Sequence, residues 1–169
     1  MATLAEPRKP ARSIAPDSYE TLLGIGAIIL LVAVIVALAK GQAEWGRVPW
    51  VVWPHLATII VALVLTPVMM FRRRGDGRHR ILGTIWVGAM ILTALFSFAI
   101  RSNPGGGFGW IHLLSIWTLV QVPWLWWRAR SHNVAGHRRG VRGMVTGALL
   151  IAGFFTFPFD RLLGHWLFG

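Results

Sequence analysis

Long apolar runs, broken at intervals by clusters of arginine, glycine and proline, set the pattern of the chain. Five runs, near residues 21–39, 49–71, 81–100, 110–127 and 143–159, approach the roughly 20 residues a helix needs to cross ~30 Å of hydrocarbon. Polar and apolar positions do not alternate within them, so they are not barrel strands. A backbone in lipid must satisfy its own hydrogen bonds, which makes each run a helix. The expected fold is an all-α integral membrane protein with five transmembrane helices.

The residues inside and between these runs recur. His55-Leu-Ala-Thr-Ile returns as His112-Leu-Leu-Ser-Ile, and His79-Arg80 as His137-Arg138. The stretch Gly88 to Phe98 returns as Gly147 to Phe157, and Arg101 is answered by Arg161. The offset grows from 57 to 60 residues, as when loops gain single residues. The expected organisation follows: a tail over 1–20, helix 1 over 21–40, a first repeat of two helices over 49–101, a second over 110–161, and a C-terminal tail over 162–169. Each repeat is two helices long, so both insert in the same direction, related by an axis along the membrane normal. Helices 2 to 5 then form a four-helix core, with Gly83, Gly88, Gly143 and Gly147 available for close packing.

Composition supports the membrane reading and charge orients it. The 169 residues are 55% hydrophobic and 14% charged, with a formal net charge of +11. Thirteen of the 17 Lys and Arg residues lie before helix 1 or in the 2–3 and 4–5 connections. The positive-inside rule therefore places the N-terminus in the cytoplasm and the C-terminus in the periplasm of a bacterial inner membrane. Helix 1 is too long for the apolar core of a signal peptide. The basic loops lack a nucleic-acid motif, so the expected partners are the bilayer and anionic headgroups, with no nucleic acid. With no cysteine, disulfides, thiolate metal sites and covalent haem attachment are excluded. No phosphate-binding Gly-rich loop, zinc-protease motif or Ser/His/Asp constellation is present. The six acidic residues fall in tails, loops or helix ends. Any enzymatic activity would be that of a membrane oxidoreductase.

Four of the six histidines form two repeat-related pairs. His55 precedes Arg72 by 17 residues and His112 precedes Arg128 by 16, which puts both roughly 25 Å above the basic boundary. His79 and His137 open helices 3 and 5 at that boundary. Two imidazoles from facing helices can supply both axial ligands of a b-type haem. One or two haems are thus expected, with His55, His112, His79 and His137 as candidate iron ligands. Arg80 and Arg138 are placed to neutralise haem propionates. The outer pair, sunk in its span, has the stronger claim; a His-Arg start to a helix is also ordinary interfacial chemistry. Two other readings stay open: a cofactor-free accessory subunit of a larger energy-transducing membrane complex, and a quinone- or lipid-binding module using the same histidines.

The run from His55 through Pro67, Arg72 and His79-Arg-Ile-Leu-Gly83, then Ala135-Gly-His137-Arg-Arg139, resembles the bacterial membrane-protein family called domain of unknown function 2306, over about residues 50 to 160. The histidine layout is also similar to that of the dihaem cytochrome b-561 family. That second likeness implies an outer haem held by helices 2 and 4, at His55 and His112, and an inner one held by helices 3 and 5, at His79 and His137. It is a likeness of topology and pairing.

Overall fold

A computed structural model describes residues 15–100, 110–158 and 160–169 of the chain. All regular structure among them is helical. Helix α1 (Ser18–Lys40) starts at a capping box. The Asp17 carboxylate accepts from the Glu20 N–H at 3.0 Å, and the Glu20 carboxylate accepts from the Asp17 N–H at 3.1 Å. A 3-10 helix (Gly41–Arg47) continues α1 and leads into α2 (Val52–Met70). Pro67 lies in the last turn of α2, which ends three residues later.

Helix α3 (Gly77–Ala99) is capped by Asp76, whose side chain takes the His79 N–H. Helix α4 (Trp110–Arg130) runs back, and α5 (Val134–Met144) is capped by Asn133 through the Gly136 N–H. The two caps are 57 residues apart, an offset of the sequence repeat. Helix α5 continues through a π-helical segment (Val145–Ile151) into the single turn α6 (Ala152–Phe154). A turn then leads to α7 (Leu162–Phe168), which packs on α1.

Successive helices pack side by side: α1 on α2, α2 on α3, α3 on α4 and α4 on α5, with the π-helical segment returning to α1. The result is a ring in which helix 1, outside the sequence repeat, closes the bundle. Its outward face, including Leu22, Ile25, Ile29, Val32 and Ile35, is exposed, while hydroxyls of Thr66, Thr93, Ser97, Ser115 and Thr118 are buried within. Apolar outside and polar inside is the distribution suited to a lipid exterior. Among the described residues three helical stretches are long and apolar enough to cross a membrane: Ser18–Arg47, Val52–Met70 and Gly77–Ala99. Helix α4 is 21 residues long, but its tryptophans, Gln121, Arg128 and Arg130 dilute its apolar character.

Several expected boundaries move. The fifth helix begins at Val134, earlier than residue 143, because Asn133 caps it and its arginines extend it; it ends at Phe154. The expected C-terminal tail is helix α7, with Trp166 buried. Of the glycines expected at packing contacts, Gly83, Gly88 and Gly143 face open space, and Gly147 touches only the Trp117 ring. The close approaches use Gly24 against Phe71, Gly26 against Leu150, Gly153 against Leu30 and Gly140 against Leu125. Arg101 and the Asn103–Gly107 turn lie outside the described residues.

Gly41 shows what such contacts demand. A Cβ there would stand 2.1 Å from the Trp166 ring, which is itself held by Nε1 donating to Glu44 at 3.1 Å. Gly41→Ala should displace Trp166 and cost about 1–3 kcal/mol. Gly88→Ala, with nothing within 4 Å of its new methyl, should be neutral or stabilising. Thermal unfolding of the two variants in one detergent checks the contrast.

Candidate functional site

The basic ends of α2, α3, α4 and α5 enclose a cavity of about 690 Å³. This lies within the ~300–1,000 Å³ range of small-molecule and cofactor sites. Its floor is a buried pair in which the Trp86 indole N–H donates to the Thr66 hydroxyl at 3.0 Å, and Thr66 donates on to the Ala62 carbonyl at 2.7 Å. Met69 and Met70 from α2, Val87 from α3, Leu125 from α4 and Val141 and Val145 from the fifth helix make the apolar walls. His79 and His137 both line this cavity, from α3 and from α5.

The two imidazoles are held differently. His137 Nδ1 lies 2.9 Å from the Leu125 carbonyl oxygen. A carbonyl only accepts, so Nδ1 carries the proton and Nε2 keeps a free lone pair. Gly140 allows this contact, since a Cβ there would press on Leu125 at 3.2 Å. His79 Nδ1 is buried and has no hydrogen-bond partner. One turn further along α3, Gly83 lines the cavity, and a Cβ built on it would meet nothing within 4 Å. His79 and Gly83 at i, i+4 lie on one face of the helix, so the missing side chain leaves space beside the imidazole.

An arginine-carboxylate cluster forms the adjoining wall. Glu20 is 2% exposed and lines the cavity. Arg138 grips it with both prongs of its guanidinium, Nε to Oε1 at 2.7 Å and Nη2 to Oε2 at 2.9 Å. Arg142 Nε reaches Oε1 at 3.2 Å, and Arg74 donates to Oε2. Asp17 accepts from Arg138 at 3.0 Å and from Arg142. Desolvation pushes the Asp17 pKa upward, but the Arg142 hydrogen bond and the charges of Arg142, Arg138 and Arg74 outweigh it and hold the carboxyl below its ordinary value. For Arg74, burial and the two neighbouring guanidiniums lower the pKa.

The structure thus brings His79 and His137 together, while Arg138, expected beside a propionate, is committed to the carboxylates of α1. Arg80 lines the cavity with an exposed side chain. The cavity includes neither His55 nor His112. Each is taken up by α3: His55 Nδ1 donates to the Thr93 carbonyl at 3.1 Å, and buried His112 packs its ring 5.8 Å from that of Phe98. Around them Thr93 donates to Thr58 at 2.8 Å and Ser115 to Ser97 at 2.9 Å, a network joining α2, α3 and α4. Among the described residues no group of three or more His, Cys, Asp or Glu side chains could hold a bare metal ion.

Three cavity residues lay beyond the sequence reading. Glu20 was placed in a tail; its position at N3 of a capping box is the signal that puts it on α1. Arg130 counts in the sequence only as one of the basic residues of the 4–5 connection, and His132, at the α4–α5 turn, has no repeat partner. His132 adopts a left-handed backbone, φ 57°. No family model, curated protein or solved structure matches the chain.

Glu20→Ala should leave three guanidiniums facing one another beside the cavity and destabilise the fold by about 3–5 kcal/mol. Thermal melts in detergent, with hydrogen exchange of α1 amides, measure the loss. A carboxylate whose folded pKa is lowered stabilises above its unfolded pKa, and that stability disappears as pH falls through the folded value. Asp17 behaves so, and Asp76 does too: the His79 N–H lowers its pKa most, desolvation opposes this, and Arg72 adds to the lowering. Acidification below ~4, the usual carboxylate range, should therefore fray the first turns of α1 and α3 before the remaining helices, as read by the same exchange experiment.

Proposed function

We propose that the chain is a five-span protein of the bacterial inner membrane that holds one b-type haem in the cavity between α3 and α5 and passes electrons through it. Helix α4 and the fifth helix are read as the fourth and fifth spans. The arginine-rich end is read as cytoplasmic, on the positive-inside rule. The observation that carries the reading is the pair of imidazoles from two helices, α3 and α5, lining one cavity, with open space at Gly83 beside His79.

The residues fit the group. His137 offers Nε2 with its other nitrogen anchored on a backbone carbonyl, the arrangement that orients metal-bound imidazoles. The unpartnered Nδ1 of His79 is a buried polar atom that a bound group would bring into use. The Thr66–Trp86 pair and the apolar side chains of Met69, Met70 and Val87 would line a bound group and exclude water from it. When bound, a b-type haem supplies a one-electron couple between ferric and ferrous iron. His55 and His112 are read as members of the hydroxyl network that holds α2, α3 and α4 in register. The second reading is a quinone or lipid in the same cavity, favoured by its predominantly apolar lining.

Protein purified from cells well supplied with haem should show a reduced-minus-oxidised spectrum with Soret and α-band changes. His79→Leu and His137→Leu should each remove it, and Gly83→Leu should reduce haem content at unchanged helicity. His55→Leu and His112→Leu should leave the bands in place. Bands that survive both cavity variants would defeat this assignment, and a spectrum without bands would favour the quinone or lipid.

A further inference from the structure

We infer that Arg80 and Arg130 form an anion-binding rim at the cavity mouth, which selects a ligand with an apolar body and carboxylates along one edge. The inference rests on the haem reading and specifies which features of the ligand the cavity recognises.

The charges lining the cavity do not balance. Four arginines line the cavity: Arg74, Arg80, Arg130 and Arg138. Two of them, Arg74 and Arg138, are bound to Glu20, the one carboxylate lining the cavity among the described residues. Arg142, outside the lining, adds a third guanidinium to that carboxylate, so Glu20 has no capacity left for further cations. Arg80 and Arg130 enter no ion pair among the described residues. Two positive charges therefore stand at the rim without compensation, above an apolar interior.

The geometry suits them to carboxylates. Arg80 directly follows His79 at the start of α3, so its side chain and the imidazole leave the same turn. Arg130 ends α4 with its guanidinium carbon 4.5 Å from the centre of the Trp126 ring. Stacking occupies the face of a guanidinium and leaves its N–H donors, which lie in the plane, free for an oxyanion. A ligand seated on His79 and His137 with its carboxylates toward the rim would meet one arginine from α3 and one from α4. A neutral amphiphile such as a quinone would leave both unpaired.

The test compares iron protoporphyrin IX with its dimethyl ester, which has the same ring and iron but no carboxylates. Both are titrated into haem-depleted protein in detergent, and binding is followed by the visible spectrum. The wild type should bind the free acid at least tenfold more tightly than the diester. In the double variant Arg80→Gln/Arg130→Gln that preference should fall to less than threefold, with band positions unchanged, since the imidazoles remain. Arg128→Gln, a guanidinium 4.0 Å over Trp124 and outside the cavity lining, should keep the full preference. Equal binding of acid and diester by the wild type, or a full preference in the double variant, overturns the rim while leaving the haem reading intact. If neither porphyrin gives a bis-imidazole spectrum, the haem reading has failed, and the rim falls with it.

Discussion

A buried carboxylate surrounded by three guanidiniums holds the basic end of this bundle together. Glu20 is almost fully enclosed, and a lone charge so placed would cost several kcal/mol. Arg74, Arg138 and Arg142 would repel one another if Glu20 and Asp17 were withdrawn. Each side of the cluster is thus intolerable without the other. The three arginines come from the α2–α3 connection and from α5, and the carboxylates from the first turn of α1. A helix outside the sequence repeat is thereby fastened to both repeats at one point, and the cavity beside it has a fixed wall.

The two ends of the bundle handle buried polarity in opposite ways. At the end bearing His55 and His112, hydroxyls and imidazoles are satisfied among themselves or by backbone carbonyls, and α3 runs through the middle of the network. At the basic end a comparable set of polar groups surrounds a space. The Thr66–Trp86 pair, the bare helix face at Gly83 and the ion cluster border that space. Closed networks rigidify, whereas an unpartnered imidazole beside open volume is a feature a folded protein keeps at a ligand site.

Much of the architecture was legible in the chain. Apolar run length marked the helices, with α1, α2, α3 and the first residue of α4 close to their observed limits. Asp76 and Asn133, each just before a His-Arg pair, cap the helices that carry those pairs. The fifth helix was misplaced because its first two turns carry Arg138, Arg139 and Arg142, which a search for apolar residues rejects; their partners on α1 are invisible to local pattern. Glu20 was misread for the same reason, since whether an acid in a first turn is solvated or buried depends on residues more than 50 positions away. The repeat singled out the paired histidines, and one pair, His79 and His137, lines the cavity. Their depth alone favoured the outer pair, because depth along a helix says nothing about where the bundle leaves space.

The fifth helix must also meet different neighbours along its length. Arg138 and Arg142 reach α1, Thr146 contacts the Tyr19 hydroxyl at 2.7 Å, and Leu150 and Gly153 pack on α1 further along. These contacts are spaced by four, four, four and three residues, on average slightly more than the 3.6 residues of an α-helical turn. The π-helical segment Val145–Ile151, with its longer hydrogen-bonded turns, absorbs the difference and keeps the row directed at α1. Removing a single residue there would let the segment close to α geometry with both halves of the row still directed at α1, whereas the same deletion in the α-helical part would swing the remainder about 100° away. The π-helical segment is therefore the place where this helix can change its number of residues by one and keep its row of contacts on α1.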